Sequence, residues 1–198
     1  MLRDYAPLAS QRLQPGAGYA QPTQLVPERV SPDDPAVQVM TDFQAVTAVI
    51  VLSGDALDEA HRRMIQRRVR LLLVVDQDRR VVGVITATDI LGERPLQVAS
   101  QRAMKREELL VRDVMTPHEM LEVLDIGDVR AVKVGHIVAT LKHSGRQHAL
   151  VAERDAQGGQ RVRGVFSATQ IARQLGVTLS TTGEIARTFS EIEAQLAR

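Results

Sequence analysis

From Val37 onward the apolar positions fall into short runs whose period switches between that of a strand and that of a helix. Ala48 to Leu52 is rich in β-branched residues and suits a buried strand. Ser53-Gly54-Asp55 follows with N-cap chemistry, and Leu57, Ala60, Met64 and Ile65 recur at helical spacing. Leu71 to Val75 is a second apolar run, Asp76-Gln77-Asp78-Arg79 makes a turn, and Val81 to Thr86 returns as another strand. A helix opening at about Asp89 closes the unit. The order is strand, helix, strand, strand, helix.

The same order then repeats. Gly83-Val84-Ile85-Thr86-Ala87-Thr88-Asp89-Ile90 matches Gly164-Val165-Phe166-Ser167-Ala168-Thr169-Gln170-Ile171, and Val39-Met40-Thr41 matches Val114-Met115-Thr116. The second copy carries extra residues near its first helix and a loop-like insert, Asp155-Ala156-Gln157-Gly158-Gly159, between its paired strands. Duplicated units tolerate length changes confined to such places. The class is α/β (α+β), with two lobes about a pseudo-twofold axis.

The ends of the chain read differently. Six of the eight prolines lie within residues 1–36, which predicts an extended, partly disordered arm that contributes little to a packed core. At the other end Thr181-Thr182-Gly183-Glu184 resembles a capping box, and Ile185, Phe189, Ile192 and Leu196 line one stripe of an amphipathic helix. The divisions are therefore an arm over 1–36, a first repeat with its connector over 37–105, a second repeat over 106–178 and a C-terminal helix over 179–198.

Composition narrows the function. Lys plus Arg is 25 against 24 for Asp plus Glu, and only 3% of residues are aromatic, so neither a polyanion-binding face nor a base-stacking platform is indicated. With Cys 0 there is no thiolate nucleophile or zinc ribbon, and the apolar runs fall short of a membrane span. The five histidines form no HExxH pair, and no G-x-S-x-G elbow or P-loop occurs. The reading is a cytoplasmic protein that is not an enzyme, binds neither nucleic acid nor membrane, and has no metal site and no required cofactor.

Val111-Arg112-Asp113-Val114-Met115-Thr116-Pro117, together with two copies of Gly-hydrophobic-hydrophobic-(Thr/Ser)-x-x-(Asp/Gln), resembles a tandem pair of CBS domains (a Bateman module) over about 39–178. The resemblance implies a β-α-β-β-α fold in each copy and clefts between the copies that bind adenosyl ligands. Each cleft would join the glycine motif of one copy to the Met-Thr segment of the other. One would bring Thr86 and Asp89 to Met115 and Thr116; the other would bring Ser167 and Gln170 to Met40 and Thr41. Thr86 would donate its hydroxyl to a phosphate or sugar oxygen, and Asp89 would accept from two ribose hydroxyls. Asp89 equally suits the N-cap of its helix.

The second cleft departs from the pattern. Gln170 replaces the carboxylate, and Asp42 follows Met40-Thr41 where the other copy has Pro117. The motifs thus predict one competent cleft, that of Thr86 and Asp89, and one weak or empty cleft. Arg70 and His148 precede the second strands of their copies, where the resemblance implies phosphate contacts. Arg62, Arg63, Arg67 and Arg68 read as a solvated helix face.

The implied function is a free-standing regulatory module for energy sensing, a homodimer that binds an adenine nucleotide (AMP, ADP or ATP) and signals to an unidentified protein target. A dinucleotide such as cyclic di-AMP or NAD, or S-adenosylmethionine, carries the same adenosine. The competing reading is a ligand-free interaction protein that dimerises through the module.

Overall fold

The computed structural model describes residues 27–177 and Ile192. The elements run β1 (Thr41–Asp42), β2 (Ile50–Leu52), α1 (Leu57–Arg67), β3 (Leu71–Val75), β4 (Val81–Thr86), α2 (Ala87–Leu91), α3 (Arg94–Gln101) and α4 (Val111–Val114). They continue with β5 (Thr116–Pro117), β6 (Val123–Asp125), α5 (Ile126–Ala131), α6 (Val134–Ser144), β7 (His148–Arg154), β8 (Gln160–Ser167) and α7 (Ala168–Gln174). Two four-stranded sheets result, ordered β2-β3-β4-β5 and β1-β8-β7-β6. This is the duplicated α/β architecture expected from the sequence.

The sheets exchange their edges. β1 belongs in sequence to the first repeat, yet it pairs antiparallel with β8, Thr41 opposite Val165 and Asp42 opposite Gly164. β5 opens the second repeat and pairs with β4, Thr116 opposite Val84 and Pro117 opposite Gly83. Each edge strand thus satisfies backbone groups of the other repeat. Glycine is required at the contact: a Cβ on Gly83 would stand 2.5 Å from the Thr116 carbonyl oxygen, and one on Gly164 2.6 Å from that of Thr41.

Strand alternation divides the core into three layers. On one face of the first sheet Leu72, Val74 and Ile85 pack with Leu57 and Met64 of α1, Ile90 of α2, and Leu109, Val111 and Val114 of the connector and α4. Val151 and Phe166 of the second sheet pack with Ile137 and Leu141 of α6 and Ile171 of α7. Between the sheets Leu73, Val84 and Leu150 meet, flanked by Ile50, Leu71, Val123 and Val165. The central strands are therefore apolar on both faces, which is why they read as continuous apolar runs.

Several expectations need correction. Residues 27–36 are not a free arm. The Val30 N–H donates to the Gln174 carbonyl, Pro35 bridges to Lys133, and Val30 packs on the core of the second repeat. A 3-10 turn at Ala36–Val39 then buries Ala36 and Val39 completely. Proline density excluded regular structure there, but not burial. The helix expected near Asp89 begins at Ala87, capped by Thr86, with Asp89 in its first turn. At the start of α5 the N-cap is Asp125, accepting from the Gly127 N–H at 2.7 Å. Of the C-terminal stripe, Ile192 is helical and fully buried in the core of the second repeat. Ile185, Phe189 and Leu196, the capping box at Thr181, and residues 1–26 lie outside the described residues.

Because each sheet borrows an edge, neither repeat expressed alone should fold, and calorimetry of the whole chain should show a single transition. Gly83→Ala or Gly164→Ala should each destabilise the protein by about 1–3 kcal/mol, since the new methyl group overpacks the exchanged strand. Denaturant melts of the two variants measure this.

Candidate functional site

The edge exchange carries each Met-Thr segment to the foot of the other repeat's glycine motif, and two cavities open there. The larger, about 740 Å3, is lined by Thr41 of β1, by Phe43, Val46, Thr47 and Val49 on the strap between β1 and β2, and by Val165, Ser167, Thr169, Gln170 and Arg173. Arg67, Arg68 and Arg70 enter from the end of α1. The smaller, about 380 Å3, is lined by Thr86, Thr88 and Asp89, by Thr116, and by Met120, Leu121 and Glu122 ahead of β6; Gly145, Arg146 and Gln147 follow α6. Met40 and Met115 are not among the lining residues; their sulfurs lie against the sites of Gly164 and Gly83.

Backbone bonding fixes the equivalences between the repeats. Leu71 pairs with Thr86 as His148 pairs with Ser167, and the carbonyls of Arg70 and Gln147 accept from Ala87 and Ala168, the first residues of α2 and α7. The partner of His148 is therefore Leu71, and that of Arg70 is Gln147; Arg70 precedes β3, whereas His148 opens β7. Leu71 and His148 line both cavities and form a common wall. Arg70 lines only the larger one. Desolvation, with a smaller contribution from the Arg70 charge, holds the His148 ring down to about 4, so it is neutral at pH 7.

Around the larger cavity the chemistry is cationic. Arg67, Arg68, Arg70 and Arg173 line it; among the described residues no carboxylate does, and none of these guanidinium groups has an ion pair or hydrogen bond. Some arginines elsewhere are tied, as Arg62 and Arg63 are to Glu59, while others such as Arg79 and Arg112 are not among the described residues. Arg67 and Arg68 are exposed at the end of α1, in keeping with a solvated face, and they also line the cavity. Arg68 caps α1 in the left-handed region at φ 53°, where the other repeat has Gly145 at φ 64°. A non-glycine residue costs about 1 kcal/mol there, and such strain concentrates at functional positions. Comparing the two helix ends in sequence, Arg68 against Gly145, would have exposed this signal.

Gln170, read as a weakened motif residue, removes a negative charge from this ring of arginines. Its Oε1 accepts from the Thr41 hydroxyl at 3.3 Å across the exchanged edge. The other departure, Asp42, holds Arg163: Nε donates to Oδ1 at 2.8 Å and Nη2 to Oδ2 at 2.7 Å, while Nη1 reaches Glu153 at 3.0 Å. The hydrogen bonds from Arg163 lower the Asp42 pKa, and those carboxylates raise that of Arg163. Asp42 therefore clamps β1 onto β8, and the proline of the second copy is replaced by an ion pair.

The smaller cavity is built around a satisfied capping box. The Thr86 hydroxyl and N–H donate to Asp89 Oδ2 at 2.7 and 2.8 Å, and the Asp89 N–H donates back to the Thr86 hydroxyl at 3.2 Å. The proton expected to serve a phosphate is spent on Asp89. Asp89 Oδ1 stands 3.8 Å from Arg94, and Arg146 pairs with Glu122 at 3.0 Å. Motif integrity favours this cleft; size and charge favour the other.

Residues 38–95 match the family model of the CBS domain. An uncharacterized conserved protein from Pyrococcus horikoshii has a similar structure, with TM-score 0.54 and 20% identity over 77% of this chain and 100% of that one. CBSX2 of Arabidopsis thaliana, solved in complex with AMP, is similar at TM-score 0.50 and 20% identity, over 71% of this chain and 94% of that one. No curated protein matches the sequence. Residues 38–95 thus carry the CBS domain pattern, and the two repeats together share the fold of CBSX2. No helix among the described residues is long and apolar enough to cross a membrane.

Two outcomes follow from this geometry. The unfolded chain binds a proton at a histidine near pH 6.5, whereas native His148 does so only near 4. Stability should therefore fall as the pH drops from about 6.5 towards 4, by roughly 1–3 kcal/mol from this residue. His148→Gln should flatten that part of the curve in pH-dependent melts. Asp42→Ala should destabilise by about 1–3 kcal/mol, since it strips two charged hydrogen bonds from Arg163.

Proposed function

We propose that the protein is a non-catalytic regulatory CBS pair that binds an adenine nucleotide in the arginine-lined cleft and passes the signal to a protein partner. The observation that carries this reading is the set of four arginines around a cavity of about 740 Å3, which have no partner and meet no lining carboxylate among the described residues. Guanidinium groups left unpaired around a concavity suit the bidentate recognition of phosphate oxygens. Ser167, Thr41 and Gln170 supply hydroxyl and amide groups for the sugar, and Val165, Leu71 and Val49 supply apolar surface for the base. An adenine base is supported by CBSX2, a protein of this fold that carries AMP.

The charge argues against S-adenosylmethionine, a cationic ligand, in this cleft. It ranks ATP above ADP and ADP above AMP, since each added phosphate meets further arginine. Assembly as a homodimer is supported by Ile65, Leu91 and Leu96, which lie on the contacting helices α1, α2 and α3 and are each more than 60% exposed.

Calorimetric titration with AMP, ADP and ATP tests the reading. Affinity should rise in that order, and at 100 times Kd the ligand should add about 2.7 kcal/mol of stability. Arg70→Ala and Arg173→Ala should each weaken ATP binding tenfold or more, as expected for a lost charge-assisted bond. Binding of none of the three nucleotides would leave the interaction-scaffold reading in its place.

A further inference from the structure

The two repeats end their second helices differently. α7 is seven residues long, and its counterpart α2 is five. The added residues are Arg173 and Gln174, which stand where the first repeat has Gly92 and Glu93. Arg173 lines the larger cavity, and so does Val177, whose N–H donates back to the Ala172 carbonyl at 2.9 Å. A helix this short is marginal by itself, and its final carbonyls need partners from elsewhere.

Residues 27–30 supply them. The Val30 N–H donates to the Gln174 carbonyl at 3.0 Å, and the Gln174 side-chain Nε2 donates to the Pro27 carbonyl at 2.8 Å. The Arg29 guanidinium lies on Gly176, where any Cβ would collide with it, and so brings a positive charge to the negative end of α7. Gln174 is 3% exposed, and among the described residues its Oε1 has no hydrogen-bond partner. A buried amide with an orphaned oxygen costs stability, so its place is explained by what Nε2 holds. The grip is shallow, since Glu28 and Arg29 are exposed and Pro27 and Val30 are only half-buried.

We propose that residues 27–30 are a strap whose docking on α7 is coupled to nucleotide binding in the larger cavity. This rests on the nucleotide assignment above. Docked, the strap caps α7 and holds Arg173 on the cavity; a phosphate held by Arg173 in turn keeps the strap docked. Strap and phosphate grip neighbouring residues of one helical turn, Gln174 and Arg173, and that turn is the element both of them bias. By reciprocity, whatever the strap adds to nucleotide affinity the nucleotide adds to strap docking. A weakly held segment is the kind of element that such a coupling can move. The place where the chain enters the fold thereby reports the state of the cavity.

Hydrogen exchange and calorimetry on the whole chain, with ATP as the probe, test this. In Val30→Pro, which deletes the donated N–H, the amides of Gly176 and Val177 should exchange about tenfold faster while those of β3 and β4 stay unchanged. Gln174→Met, which keeps the volume and removes the bond to Pro27, should act in the same direction. In wild type, saturating ATP should slow exchange of the Val30 amide about tenfold, and Val30→Pro should weaken ATP binding by about the same factor. That loss of affinity should vanish in the Arg173→Ala background, because the strap acts through Arg173. Unaltered exchange at Gly176 and Val177 in both variants, a Val30 amide indifferent to ATP, or an equal loss of affinity with and without Arg173 would each overturn the proposal. If wild type binds no ATP the nucleotide assignment fails by itself, and exchange at Gly176 and Val177 still decides whether the strap orders the rim of the cavity.

Discussion

The exchange of edge strands is the constraint on which the rest of the structure depends. Two residues from each repeat, Thr41–Asp42 and Thr116–Pro117, close the sheet of the other. An uncovered sheet edge exposes unpaired backbone groups, and here each repeat supplies the cover its twin lacks. The contact is close because Gly83 and Gly164 have no side chain, and in one copy it is clamped by the Asp42–Arg163 ion pair. The exchange also places a Met-Thr segment beside a glycine motif contributed by the other half. The clefts are a product of this arrangement, and neither could exist within a single repeat.

A duplicated fold allows one backbone plan to be used twice with different side chains. Around the two clefts the backbone bonding is kept: the carbonyls of Arg70 and Gln147 serve the same purpose in their copies. Charge is what changes. Arginine accumulates at the end of α1, where Arg68 adopts a left-handed conformation that the other copy gives to a glycine, and carboxylates accumulate on the opposite side. A chain with a net charge of +1 thus contains one basic cavity and one whose charges are paired. Overall composition averages that difference away.

The repeat itself was legible in the sequence because Gly83–Ile90 and Gly164–Ile171 are local, contiguous and similar, and the continuous apolar runs marked strands buried on both faces. The joining of each glycine motif to the opposite Met-Thr segment came from the family resemblance, not from periodicity, since strand pairing across the chain leaves no local mark. The arginines of the larger cleft were hidden for a different reason. Arg67 and Arg68 sit at a helix end among other arginines, and only folding separates those paired to Glu59 from those turned to a cavity. Gln170 and Asp42 looked like losses from a motif. In three dimensions one relieves an arginine ring of a counter-charge and the other replaces a proline with an ion pair. The packing of Val30 and Ala36 was missed because proline-rich sequence has no period, and a segment without period can still fill a groove.

The wall formed by Leu71 and His148 is a single layer of side chains with a chamber on either side. Such a partition has no slack of its own, since close-packed side chains have few voids to absorb a displacement. Pressure from one chamber is therefore felt in the other, as through a diaphragm. Whatever free energy one occupant transmits across it must, by reciprocity, be returned in equal measure by the other.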